Sequence, residues 1–166
     1  MHSYAEALDQ HAAAGTLAIA YARKLLLGQK GEQALQVLAA VPIGDDQTRA
    51  YLACERSHIF RELGEFDEAV IAAREAHRLL PDLPHNTLEL ATAIMAAGAD
   101  YEEAVEYLQP LISSEACGQD TWAIYATALR YAERRDEYDQ LVDYEKYVGM
   151  RKIGPPQGYD SLTAFL

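Results

Sequence analysis

Apolar residues recur at helical spacing along most of the chain, and glycine, proline or acidic residues interrupt them at regular points. The pattern predicts helices over Thr16–Gly28, Gly31–Val41, Asp46–Leu63, Asp67–Leu80, His85–Ala97, Tyr101–Ser113, Gln119–Arg134 and Asp136–Tyr147. Pro42 and Pro81 act as stop signals, Gly44-Asp45-Asp46 supplies a turn and an N-cap, and Pro81 and Pro84 bracket a short connector. Pro110 lacks a backbone donor and crowds the carbonyl of Glu106, which predicts a kink or a displaced last turn. Met1–Ala13 is helical in pattern, with Tyr4, Leu8 and His11 near one face. It either breaks at Gly15-Thr16 or runs through Ala12-Ala13-Ala14 into the next helix. Beyond Val148, the glycines and prolines at 149, 154, 155, 156 and 158 predict an extended connector to Tyr159. Asp160 or Ser161 then caps a short last helix.

The helices come in pairs, and the pairs repeat. Ala34 in Gly-Glu-Gln-Ala-Leu, Ala69 in Phe-Asp-Glu-Ala-Val and Ala104 in Tyr-Glu-Glu-Ala-Val are 35 and 35 residues apart, and Tyr138 holds the same place after another 34. A helix–turn–helix unit at that period resembles the tetratricopeptide (TPR) family. The resemblance rests on Phe60, Phe66, Ala69, Ala76 and Pro81 in the second pair, Leu88, Met95, Tyr101 and Ala104 in the third, and Trp122, Ala126 and Leu129 in the fourth. Ala53 and Arg56 in the second pair and Tyr138 in the fourth depart from it. The resemblance implies an all-α fold, a TPR-type α-solenoid of antiparallel helix pairs wound as a right-handed superhelix. Residues 1–147 would form the array, with 1–14 the remnant of an upstream repeat helix, and 148–166 a tail or a linker to a missing downstream domain.

Composition narrows the function classes. Ala and Leu dominate the hydrophobic half of the chain, which favours helix. The net charge of −12 argues against nucleic acid as a partner. No apolar stretch approaches the roughly 20 residues that span a bilayer, so no membrane role is expected. The two cysteines, Cys54 and Cys117, fit a reducing, cytoplasmic compartment better than a disulfide framework.

The C-terminal part resembles a second, narrower group. Trp122-Ala-Ile-Tyr-Ala-Thr-Ala-Leu-Arg, then Leu141-Val-Asp-Tyr-Glu-Lys-Tyr-Val, then the segment from Pro155 to Leu166 are similar to a junction in bacterial proteins that carry a 2-oxoglutarate/Fe(II) oxygenase-type domain after a TPR array. That resemblance implies an accessory region of a larger enzyme. A secretion-type chaperone, self-associating through its N-terminal segment, is a further alternative, since those are also small, acidic and TPR-built. Catalysis by these residues is not expected. His2, His11, His58, His77 and His85 form no His-x-Asp or His-x-Glu pair of the kind an iron triad needs. Neither a Cys/His zinc pattern nor a phosphate-cradling glycine loop occurs, so no cofactor and no metal are expected.

What remains is surface. The TPR resemblance places Arg23, Tyr51, Cys54, His58, Arg61, Asn86, Glu89, Asp120, Thr127, Arg130 and Tyr131 along a concave groove that takes a peptide or a partner domain. Arg and Tyr are residue types enriched at binding hot spots, and Arg23, Arg61 and Arg130 recur in an otherwise acidic chain. The alternative reading of the same residues is ordinary solvated positions with some internal pairing. Ile19 and Glu55 stand where chaperone-binding members carry their carboxylate clamp, so that clamp is missing. Arg56 is read as a snorkelling side chain paired with a glutamate, Cys54 as an inert thiol, and Trp122 as the centre of a tyrosine-rich packing set.

Overall fold

The structure, a computed structural model, describes residues 4–42, 44–112 and 118–148. They form eight helices and no strand: α1 (Tyr4–Leu27), α2 (Gly31–Ala39), α3 (Asp46–Leu63), α4 (Phe66–Leu79), α5 (Pro84–Ala96), α6 (Tyr101–Ile112), α7 (Gln119–Tyr131) and α8 (Arg135–Val148). The protein is all-α. The connector and last helix expected beyond Val148, along with Cys117, lie outside the described residues.

Each odd-numbered helix ends in the same backbone motif. After α3, Gly64 turns left-handed (φ 77°), its N–H donates to the carbonyl of Arg61, and the N–H of Glu65 reaches back to Phe60. Gly98 after α5 repeats the pattern, with Gly98 N–H on Met95 and Ala99 N–H on Ile94. This double bond set satisfies carbonyls that a helix end leaves orphaned. Gln29 after α1 and Glu133 after α7 adopt the same conformation (φ 57° and 58°) without being glycine. The four left-handed residues are spaced 35, 34 and 35 apart, so the repeat is carried by the backbone even where the sequence does not mark it. Helix starts are set by acidic caps: the Asp45 carboxylate accepts from Thr48 N–H at 2.6 Å, and Asp100 accepts from Glu103 N–H at 3.0 Å.

Of the two readings of the N-terminal segment, the structure takes the continuous one. A single helix runs from Tyr4 to Leu27, so Gly15-Thr16 does not break it. Gly15 is buried against the Thr48 methyl, where a side chain would crowd the approach of α3, and the helix carries it as a contact point. α6 holds Pro110 inside its last turn and ends at Ile112.

The chain divides into two compact units at Ala93–Ile94, within α5. In the first, α1 packs on α2, and α3 packs on α1, α2 and α4. Its core joins Ala22, Leu38, Leu52 and Ile59, with Ile19 and Leu63 packed against them. Gly31 starts α2 directly against Leu63, and a Cβ there would sit 2.6 Å from a Leu63 methyl. Ala69, Ala72, Ala73 and Ala76 form the buried stripe of α4, small enough to let it lie close to α3. In the second unit α6 packs on α7 and α7 on α8, with Ala104, Val105 and Leu108 buried on α6 and Tyr125, Ala128 and Leu129 on α7.

Candidate functional site

The first unit carries a ladder of polar pairs on α1, α3 and α5. Arg23 on α1 grips Glu55 on α3 as a fork, Nε donating to Oε1 at 2.9 Å and Nη2 to Oε2 at 2.6 Å. Two residues further along α3, the Ser57 hydroxyl donates to Glu89 Oε1 on α5 at 2.8 Å. Arg61, one helical turn on, donates to the same Glu89 through Nε at 3.1 Å and Nη2 at 3.2 Å. Arg61 Nη2 also meets His58 Nδ1 at 3.1 Å. A guanidinium can only donate, so Nδ1 accepts and the proton of the neutral ring sits on Nε2.

Burial divides these partners. The carboxylates are inside and the guanidinium of Arg23 is outside: the Glu55 side chain is 7% exposed and that of Arg23 62%. Hydrogen bonding to Glu55 raises the Arg23 pKa above its already high ordinary value, against the opposing effect of burial. Glu89 is equally sheltered, and its Arg61 is mostly covered too. Fork geometry restricts both guanidinia to one orientation, because each planar donor pair matches the two oxygens of its carboxylate.

Cys54 lies buried within the same array. Burial first, and the Glu89 and Glu55 carboxylates second, push its thiol up to about 12, and the Arg23 and Arg61 guanidinia offset this only in part. The thiol stays protonated at neutral pH and offers no nucleophile.

The residues singled out along the expected groove therefore fall into distinct roles. Arg23, Tyr51 and His58 reach the surface, with the Tyr51 hydroxyl accepting from Gln47 at 3.2 Å. Arg61 and Glu89 form the sheltered pair. Asn86 is fully buried: its Nδ2 donates to the carbonyls of Ala76 at 3.0 Å and Leu80 at 3.2 Å, tying the end of α4 to α5. Cys54 and Asn86 thus serve packing, because neither presents a polar atom to a ligand at the surface. Arg56 donates to Glu75 at 2.7 Å, and Arg49 approaches the same carboxylate, so the α3–α4 contact holds its charges in pairs.

In the second unit Asp120 and Arg130 are exposed on α7, and the Thr127 hydroxyl is returned to its own helix through the Ala123 carbonyl at 2.8 Å. Tyr131 stacks on Tyr101 with ring centroids 5.1 Å apart, which joins α7 to α6. Arg134 forks onto Glu137 at 2.6 Å and reaches Glu102 at 3.3 Å. Arg134 and Glu137, with the residues between them and Glu133, line a shallow cleft of about 330 Å³. Arg134 is raised in pKa chiefly by its bond to Glu137, and the guanidinium is engaged by its own chain.

Two members of the ladder escaped sequence reasoning. Glu55 and Ser57 occupy positions that helical periodicity alone assigns to an ordinary face. The signal that finds them is an offset: Arg23 to Glu55, Ser57 to Glu89 and Glu102 to Arg134 are each separated by 32 residues. That is just under one repeat, the step from a turn of one odd-numbered helix to its neighbour on the next, or from α6 to the turn after α7. Among the described residues no three His, Cys, Asp or Glu side chains are grouped to hold a metal ion, and no helix is long and apolar enough to cross a membrane. A scan against protein-family models gave no match, and a search of curated proteins gave none either.

Proposed function

We propose that this chain is a TPR-type array acting as a non-catalytic protein-interaction scaffold, which binds a peptide or partner domain through exposed residues of its odd-numbered helices. The observation that carries the reading is the ladder itself. Arg23–Glu55 and Arg61–Glu89 fix polar side chains on α1, α3 and α5 in single orientations before any ligand arrives. Binding costs side-chain entropy for every rotamer-rich group it immobilises, so a surface whose arginines are already held loses less on association. Arg23, Tyr51 and His58 are the contact residues of the first unit. Arg130 and Tyr131 are those of the second.

The test is selection from a displayed random-peptide library, followed by binding to Tyr51→Ala, His58→Ala and Arg130→Glu. All three side chains are at least partly exposed, and their removal leaves the Arg–Glu pairs intact. Selected peptides should bind at least one variant tenfold or more weakly, with the melting temperature unchanged. Equal affinity for all three variants removes the assignment of these contact residues.

A further inference from the structure

Two histidines stand where α5 joins the first unit, one on each helix to which α5 is bonded. On α3, His58 Nδ1 accepts from Arg61 Nη2 at 3.1 Å, and the same guanidinium donates to Glu89 of α5 at 3.1 and 3.2 Å. On α4, His77 Nδ1 meets the Thr87 hydroxyl of α5 at 3.2 Å, beside the two bonds that Asn86 sends to the end of α4. Thr87 and Glu89 are both buried, so these contacts lie inside the joint and not on its rim. Besides them, the part of α5 in the first unit fully buries one large apolar side chain, Leu90, with Ala91 and Ala93. With so little apolar bulk, the helix depends on its polar contacts for its position.

Acid works against both contacts, for different reasons. A protonated His58 has no acceptor nitrogen, so it loses the bond from Arg61 and faces a like charge in its place. The charged groups around it are Arg61 and Glu62 on its own helix, Glu89 on α5, and the Arg23–Glu55 pair shared with α1. Glu62, exposed and one helical turn on, is the carboxylate to which a charged His58 can turn, and turning there takes the ring off Arg61. His77 is half-buried, and burial lowers its pKa from the ordinary 6.5. The charged groups on the elements around it are Arg74 and Arg78 on α4, Arg49 and Arg56 of α3, both turned to Glu75, and Asp82 and His85 at the approach to α5. A base whose pKa is lowered by folding favours the folded contact above its ordinary value, and that contribution is lost as pH falls through the lowered one. We propose that the α5 joint is an acid-sensitive clamp: with His58 and His77 neutral it holds α5 on α3 and α4, and protonation of the two rings loosens that helix from the first unit.

The experiment is amide hydrogen exchange of the full chain, read by mass spectrometry at about pH 7.5 and about pH 5 and corrected for the intrinsic pH dependence of exchange. Histidine changes charge over that range, whereas ordinary carboxylates remain largely ionised. Protection of the α5 amides from Leu88 to Ala93 should fall roughly fivefold or more further than that of α2. The double variant His58→Gln, His77→Gln should lose this difference, because glutamine keeps a hydrogen-bonding side chain and has no charge to gain. Two-bond nitrogen–proton NMR spectra of the wild type give a reading that needs no variant: at the higher pH the His58 proton should sit on Nε2. An equal loss of protection in α2 and α5 overturns the proposal. So does a double variant that keeps the selective loss, which would place the sensitivity in Glu89, and so does a neutral His58 that carries its proton on Nδ1.

Discussion

Two arginine–glutamate pairs with similar buried carboxylates differ in what their loss costs. Glu89 accepts from Ser57 and from Arg61, both largely sheltered, so its removal strands a hydroxyl and a guanidinium together. Glu55 accepts from Arg23, whose side chain is mostly in water and can be rehydrated. Glu89→Ala should therefore lower stability by about 2–4 kcal/mol, and Glu55→Gln by about 1 kcal/mol or less. Urea unfolding of both variants checks the order, and a larger loss for Glu55→Gln would refute it. The thiol between them gives a second prediction. With its pKa pushed up to about 12 from an ordinary 9.0, Cys54 should react with iodoacetamide on the order of a thousandfold more slowly in the native protein than in urea. Peptide mass mapping after timed quenching measures this, and rapid native alkylation of Cys54 would contradict the burial that sets the value.

At the level of the element, the odd-numbered helices end in one motif with two kinds of residue. Gly64 and Gly98 enter the left-handed conformation without a Cβ, whereas Gln29 and Glu133 hold it against the steric penalty an L side chain meets there. Gln29→Gly and Glu133→Gly should each stabilise the protein by up to about 1 kcal/mol, even though glycine is unfavourable inside a helix. Differential scanning calorimetry should show a higher Tm for both, and a still larger gain for the pair. A lower Tm would mean that the side chains make contacts worth more than the strain. The converse change, Gly64→Ala, should cost about the same amount, because nothing obstructs the added methyl and only the φ opposes it.

For the molecule as a whole the dominant electrostatic fact is an excess of acid, a net charge of −12. Its internal pairs do not offset this. Buried pairs are little affected by salt, and exposed ones such as Arg49–Asp46 contribute at most a few tenths of a kcal/mol. Screening should therefore relieve repulsion more than it weakens attraction. Raising sodium chloride from about 10 mM to about 0.3 M, which shortens the Debye length several-fold, should raise Tm by a few degrees. A falling Tm would show that surface ion pairs outweigh net repulsion.

Much of this architecture is legible in residue order. The apolar stripes, Asp45 as a cap, Gly64 and Gly98 as stops and the alanines of α4 determine eight helices and their pairing, because each acts within a turn or two of its own position. Local signals fail where the deciding partner is distant. Gly15 leaves open whether the helix breaks or continues, and only the structure shows one helix running through it with Thr48 of another helix against it. Gln29 and Glu133 read as nothing in particular, and only the closed turn reveals that they repeat the conformation of the glycines. Arg61 and Asn86 look alike as polar residues facing one surface. Arg61 is sheltered on Glu89 of α5 and Asn86 is buried on the end of α4, partners that no local signal shows. Sequence determined which segments are helices because helix formation is a short-range balance. Only the tertiary structure decided which polar groups pair with each other and which stay exposed, because that depends on neighbours a repeat away.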